Sequence, residues 1–175
     1  MSLLGLKRGT VTLIPHQQMW ETAAAETIAH LRKFFPDADI AHVGSTSIPH
    51  IAAKPIIDIA VGVDDLSAVK EMAPMLETHG LLFRGEVEAG QLLFVIGDLE
   101  ADRRSHHIHF VKRQGREWQN YIRFRDYLTA HPARAKDYER LKIRLAERYS
   151  ADRASYTAGK ADLIQEILAE SALET

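Results

Sequence analysis

One short segment constrains this chain more than any other. From Ile56 to Val63, six of eight residues are aliphatic or alanine, and a continuous run of that kind reads as a strand buried on both faces. Asp58 lies inside it. A carboxylate there has to be neutralised, hydrogen-bonded or bound to a cation, because an unpaired buried charge is costly. Upstream, Ile40 to Val43 is a second short strand that runs into the turn Gly44-Ser45-Thr46-Ser47, and the two strands should pair in one sheet. Glycine permits close backbone approach, so this turn can present N–H groups and a hydroxyl to a phosphate. It also reads as a plain turn of small polar residues. It is neither a Walker A loop nor a GxGxxG fingerprint.

The remaining periodicities fix the surroundings of that strand pair. Trp20, Ala24, Ile28, Leu31 and Phe35 mark an amphipathic helix within Gln17 to Phe35, ended before Pro36. Asp64 or Asp65 caps a second helix carrying Leu66, Val69, Met72 and Leu76, which Pro74 kinks or splits. Leu81 to Arg84, Gln91 to Gly97 and His106 to Val111 read as three antiparallel strands, with the charged segment Asp98 to Arg104 as the last turn. Three helical stripes follow, around Trp118 to Leu128, Tyr138 to Tyr149 and Tyr156 to Leu168, the middle one starting at Pro132.

With 46% hydrophobic residues and no composition shift, residues 1–175 are expected to form a single domain. The absence of cysteine excludes disulfides, thiolate metal sites and cysteine nucleophiles, and is compatible with a reducing compartment. No apolar run reaches the ~18 residues of a membrane span and no signal-peptide pattern opens the chain, so no membrane partner and a cytoplasmic location are expected. Lys112 to Arg148 carries 11 basic against 5 acidic residues in a chain of net charge -2. That segment reads either as an attractor of nucleotides or nucleic acid or as a solvated helix face. Its aromatic residues mostly fit a buried stripe, so nucleic-acid binding is not read from it alone. Oligomeric state is not legible.

The segment HVGSTSIPHIAAKPIIDIAVGV, starting at His42, resembles the nucleotidyltransferase superfamily, whose pattern is Gly-Ser after one strand and an Asp-hydrophobic-Asp/Glu pair on the next. More closely it resembles the GrpB-like family. HHIHFV, a tryptophan-bearing helix with FRDYLTAHP, a Tyr-x-x-Leu-Lys helix and a terminal helix with a lysine extend that similarity over residues 10 to 172. The resemblance implies an α/β (α+β) fold: a nucleotidyltransferase-like mixed β-sheet with flanking helices and a helical C-terminal segment. Relatives fused to dephospho-coenzyme A kinase hint at nucleotide metabolism without assigning a reaction.

One departure stands out. Two positions after Asp58, where the superfamily places a second carboxylate, this chain has Ala60. Two-metal transfer needs several anionic oxygens holding cations ~3.5–4 Å apart, which one aspartate cannot supply. Glu86, Glu88, Asp98, Glu100 and Asp102 are available as replacements. His107 and His109 fall on one face of their strand by period-two geometry. If that strand adjoins Asp58, all three side chains converge on one divalent ion, zinc or manganese suiting imidazole better than magnesium. Hydrogen bonding to phosphate or backbone is the other reading of the pair.

Lys54, extended before Pro55, reaches either a phosphate or a surface acid. His42 is read as a support for the turn. The resemblance places Arg123, Arg125 and Lys160 near the site, as phosphate contacts or ion pairs. The expected function is a nucleotide- or phosphate-binding domain, with Gly44, Ser45, Thr46, Lys54, Arg123 and Lys160 on phosphate and Asp58, His107 and His109 on the metal. Its ligand is a nucleotide or phosphorylated small molecule, and its chemistry a metal-dependent nucleotidyl- or phosphotransfer. The alternatives are a non-catalytic nucleotide-binding or regulatory module and a basic scaffold for protein or RNA. A serine triad of Ser45, His107 and Asp58 has no supporting spacing and no Gly-x-Ser-x-Gly elbow.

Overall fold

A computed structural model describes residues 4–174. In chain order the elements are β1 (Leu6–Lys7), α1 (Met19–Arg32), β2 (Asp39–Val43), a single 3-10 turn (Ser45–Ser47), β3 (Ile57–Val63), α2 (Leu66–Thr78), β4 (Leu82–Glu88), β5 (Gln91–Asp98), β6 (Arg103–Lys112), α3 (Arg116–Ala130), α4 (Pro132–Arg148), α5 (Arg153–Ala158) and α6 (Ala161–Leu173). The first helix ends earlier than its apolar period, which continues to Phe35. Asp65, not Asp64, caps α2, its Oδ1 accepting from Ser67 N and Ala68 N at 2.8 and 3.3 Å. Pro74 neither splits nor ends that helix.

The strands form one mixed sheet in the order β2-β3-β6-β5-β4, with β1 added to β6. β3 and β6 run parallel at its centre, while β2/β3, β5/β6 and β4/β5 are antiparallel. A central parallel pair explains the continuous apolar run, since both faces of β3 are covered. On one face Ile57, Ile59 and Val61 pack with Phe94, Ile108 and Phe110 against Trp20, Leu31 and Leu76 of α1 and α2. On the other face Ala60 and Val111 meet Trp118 of α3. Gly62 makes room there: a Cβ would lie 3.2 Å from the Trp118 ring, a contact that the ring would have to ease. The charged stretch from Asp98 to Arg104 turns over residues 99–102, while Asp98 ends β5 and Arg103 and Arg104 already belong to β6.

Among the described residues no helix is long and apolar enough to cross a membrane.

Candidate functional site

The register of the central strands assembles the site. Asp58 lies directly beside His107 on β6 and beside Val43 on β2, and Ala60 lies beside His109. Facing residues share a side of the sheet, so Asp58, His107 and His109 all project toward α3, α5 and α6. Asp58 Oδ1 is 3.4 Å from His107 Nδ1 and 3.1 Å from His109 Nε2. Ala60 is therefore flanked by an imidazole that turns back onto Asp58.

Gly44 closes the other side of Asp58. Its φ of 70° and ψ of -172° belong to a region occupied essentially by glycine, and a Cβ there would fall 2.6 Å from Asp58 Oδ2. The turn is held from behind. His42 Nε2 and Thr46 Oγ1 lie 2.9 Å apart, Ser47 Oγ donates to the Gly44 carbonyl at 2.6 Å, and Arg125 Nη1 donates to the His42 carbonyl at 3.1 Å.

Burial pushes the Asp58 carboxyl up, but hydrogen bonds from His107 and His109 outweigh it and hold the group well below the usual carboxylate range. Burial lowers His107, against the pull of Asp58. The outer nitrogens, His107 Nε2 and His109 Nδ1, are buried with no hydrogen-bond partner. Asp58 is thus the hydrogen-bond partner of both rings, through the same nitrogens that a bound ion would take.

The donor set fits a metal ion. Its three ligand atoms lie within 4.8 Å of one another. Tetrahedral zinc with bonds of ~2.0–2.1 Å separates its ligand atoms by about 3.3 Å, close to the two separations between Asp58 and the imidazoles. The 3.4 Å separation from His107 is long for a charge-assisted hydrogen bond of ~2.7–2.9 Å. A second ion lacks such a group among the described residues. Of the acidic replacements considered from sequence, only Glu88 lines the same cavity, joined by Glu117. Glu86 pairs with Lys70, and Asp102 with Arg8.

That cavity has a volume of about 530 Å³ and contains Gly44, Ser45, Lys54, Asp58, His107, His109 and Lys160 in its wall. Two expected contacts lie elsewhere. Thr46 is buried with its hydroxyl turned to His42, and Arg123 is exposed on α3, outside the cavity wall. Arg125 holds the turn and pairs with Asp126.

Sequence reasoning missed Arg153 and Tyr156, contributed by α5. Lys54 Nζ and Lys160 Nζ lie 5.2 and 4.8 Å from the centre of the Tyr156 ring, and Arg153 Nη2 is buried without a partner. No carboxylate forms an ion pair with Lys54, Lys160 or Arg153 among the described residues. Lys142 of α4 is buried behind this group. Its Nζ donates to the Ala52 carbonyl at 2.5 Å and lies 4.7 Å from the Tyr138 ring centre, which clamps the loop carrying Lys54.

Burial, with Lys160 and Arg153 nearby, brings Lys54 down to about 7. Burial, with Lys160 nearby, does the same to Lys142. Burial brings His42 down to about 4. Each of these groups binds its proton more tightly in the unfolded chain. As pH falls, the unfolded state therefore gains protons first, so stability drops from pH ~10.5 toward 7 through the lysines and from ~6.5 toward 4 through His42. Urea midpoints of the ligand-free protein are expected to decrease steadily from pH 9 to pH 5. A flat profile, or a maximum near pH 6, contradicts these burials.

The comparisons with known proteins agree with this architecture. The sequence profile of the GrpB protein family matches residues 10–170. The Glutamate-rich protein GrpB of Alkalihalophilus pseudofirmus is 38% identical over 173 residues, spanning 96% of this chain and 99% of that one. The UPF0157 protein YqkA of Bacillus subtilis is 35% identical over 158 residues, 89% of this chain but 45% of that protein. The crystal structure of conserved protein GrpB from Enterococcus faecalis superposes with a TM-score of 0.85 at 29% identity, covering 93% of this chain and 98% of that one. A Cid1 poly(U) polymerase with bound MgGTP shares the fold alone, with a TM-score of 0.54 at 14% identity over 77% of this chain and 45% of the polymerase. The mixed sheet with its flanking helices is thus nucleotidyltransferase-like, and the chain belongs to the GrpB family.

Proposed function

We propose that the cavity binds a nucleotide beside one divalent ion, as part of a metal-dependent nucleotidyl- or phosphotransfer reaction. The observation that carries this reading is the convergence, in one cavity, of a carboxylate with two imidazoles and of three basic side chains that lack carboxylate partners among the described residues. A volume of about 530 Å³ falls in the usual range for small-molecule sites. Tyr121 and Phe124 in its wall offer aromatic surface for a base.

In this reading Asp58, His107 and His109 hold the ion, which supplies stabilisation of negative charge on the phosphorus group when bound. Lys54, Lys160 and Arg153 neutralise phosphate oxygens, and Gly44 lets the backbone approach them. Cid1 with MgGTP supports a nucleotide as the ligand class through the shared fold. The reading as a non-catalytic nucleotide-binding module draws on Ala60, which leaves one carboxylate where the superfamily pattern has two. Nucleotide binding without turnover in any metal would favour that module.

Calorimetry with nucleoside triphosphates in the presence of magnesium, manganese or zinc tests the proposal, and the absence of binding in every combination overturns it. A second signature is expected in chelator, where no ion contributes. Lys54 is mostly neutral at pH 8, and an anion beside it raises its proton affinity. Triphosphate binding at pH 8 is therefore expected to take up protons, read as a dependence of the apparent enthalpy on the buffer's ionisation heat. At pH 5.5, where Lys54 is already charged, its contribution to the uptake should vanish.

A further inference from the structure

A second set of guanidinium groups lies on the same side of the sheet as Asp58. The pairing of β5 with β6 is irregular between Ile96 and Gly97: Ile96 faces His106, but Gly97 faces Arg104, so Ser105 is the extra residue of a bulge. Without that bulge, strict alternation would put Arg104 on the side of His106, away from His107. With it, Arg104 follows Gly97 and Val95 onto the side of His107, because a bulge re-aims the side chains beyond it. The irregularity is built in. A Cβ at Gly97 would lie 2.0 Å from the Arg103 carbonyl oxygen, so only glycine fits against the bulged strand.

Arg104, Arg84 of β4, Arg8 and Arg103 line a depression of about 160 Å³ together with Leu82 and Val95, and these four guanidinium groups face two carboxylates, Asp98 and Asp102. Arg8 is paired with Asp102 at 3.4 Å, while Arg84 and Arg104 form no ion pair among the described residues. Burial and the charges of Arg84 and Arg8 all weaken the hold of Arg104 on its proton, which marks a local excess of positive charge. The depression is too small for a nucleotide, whose sites usually exceed ~300 Å³, and no aromatic ring lines it. It suits one phosphate group. Arg153, in the wall of the large cavity, feels the charges of both Arg104 and Asp58 and so lies between the two groups. On β5 the residues facing His107 and Arg104, Val95 and Gly97, are two apart, so Arg104 lies about 7 Å from His107 along the sheet.

We infer that Arg104, Arg84 and Arg8 form a second anion subsite, which takes a phosphate of a ligand extending from the Asp58 cavity over Arg153. The ligand class is then one with two well-separated phosphate groups, such as a phosphodiester chain, rather than a mononucleotide. This rests on the cavity binding the first phosphate, but the strip can be tested apart from it.

The experiment compares the wild-type chain with the double variant Arg84→Ala and Arg104→Ala. The probes are ATP, a 5′-phosphorylated trinucleotide and inorganic polyphosphate, each titrated at 50 and 200 mM salt. Each phosphate contact on a single strand contributes ~0.7 to the logarithmic salt slope, so losing two contacts should remove about sevenfold of the gain in trinucleotide affinity on fourfold dilution of salt. ATP binding should be unchanged by the double substitution. Polyphosphate that loses affinity in parallel with the trinucleotide identifies the phosphate chain as the feature recognised; loss for the trinucleotide alone identifies the strand. Equal slopes in wild type and variant overturn the subsite. If ATP fails to bind either protein while the trinucleotide keeps its Arg-dependent slope, the subsite stands and the nucleotide reading of the cavity falls.

Discussion

Gly44→Ala is expected to abolish metal and nucleotide binding while lowering stability by about 3 kcal/mol. Two effects combine at this position. The backbone angles are essentially inaccessible to alanine, and the new methyl carbon would stand 2.6 Å from Asp58 Oδ2 and 3.0 Å from Asp58 Cβ. The second effect makes the loss specific. Asp58 has no freedom to retreat, because the side chain is pinned between His107 and His109 on the neighbouring strand and its backbone is paired on both sides. Either the turn lifts away from β3 or the carboxylate leaves the imidazoles, and both open the site. Gly90→Ala is the control: its φ is also positive, at 78°, but nothing lies within 4 Å of the added carbon. That variant should lose only the cost of the backbone angle, about 1 kcal/mol, and keep full metal binding. Denaturant titration and metal titration of both variants measure the contrast. A Gly44→Ala protein that binds metal like the wild type would show that the close approach to Asp58 is dispensable.

The parts of this site legible in the sequence are those that depend on local pattern. An apolar run with one aspartate announces a buried strand and a partner for its charge, and alternation in HHIHFV places His107 and His109 on one side. That the two strands are neighbours was conditional at that level, since strand order is a non-local property. The structure supplies the parallel register that sets Asp58 beside His107. Arg153 and Tyr156 had no such signal. They reach the cavity because a six-residue helix, capped by Asp152, sits between two longer ones and turns them inward. A charged stretch reads as a turn, yet Arg104 at its end is strand, carried to the Asp58 side by a bulge that no hydrophobic period encodes. The expectation for Arg123 came from the resemblance alone. On α3 the cavity-facing stripe is occupied by Asn120, Tyr121 and Phe124, and Arg123 falls on the solvent side.

Asp58→Asn separates the chemical role of this carboxylate from its structural one. Asparagine keeps the volume and one acceptor oxygen, so the hydrogen bonds from His107 and His109 can persist, but the charge is lost. A divalent ion shared by one anionic oxygen and two neutral imidazoles depends on that charge more than on the shape. Outer-sphere partners of metal ligands are already worth ~10–100-fold in affinity, so removal of a direct ligand should cost at least about 100-fold. The folded state holds the Asp58 proton more weakly than the unfolded chain does. Its charge therefore contributes stability that is present above pH ~4 and lost as pH falls below that value. The variant is expected to melt lower than the wild type at neutral pH and to lose that segment of the acid transition. Elemental analysis after incubation with zinc or manganese and dialysis should find one ion per wild-type chain and none per Asp58→Asn chain. A wild-type protein that retains no ion, while Asp58→Asn still melts lower, would leave the carboxylate as a bridge between two imidazoles and remove metal from the account of this cavity.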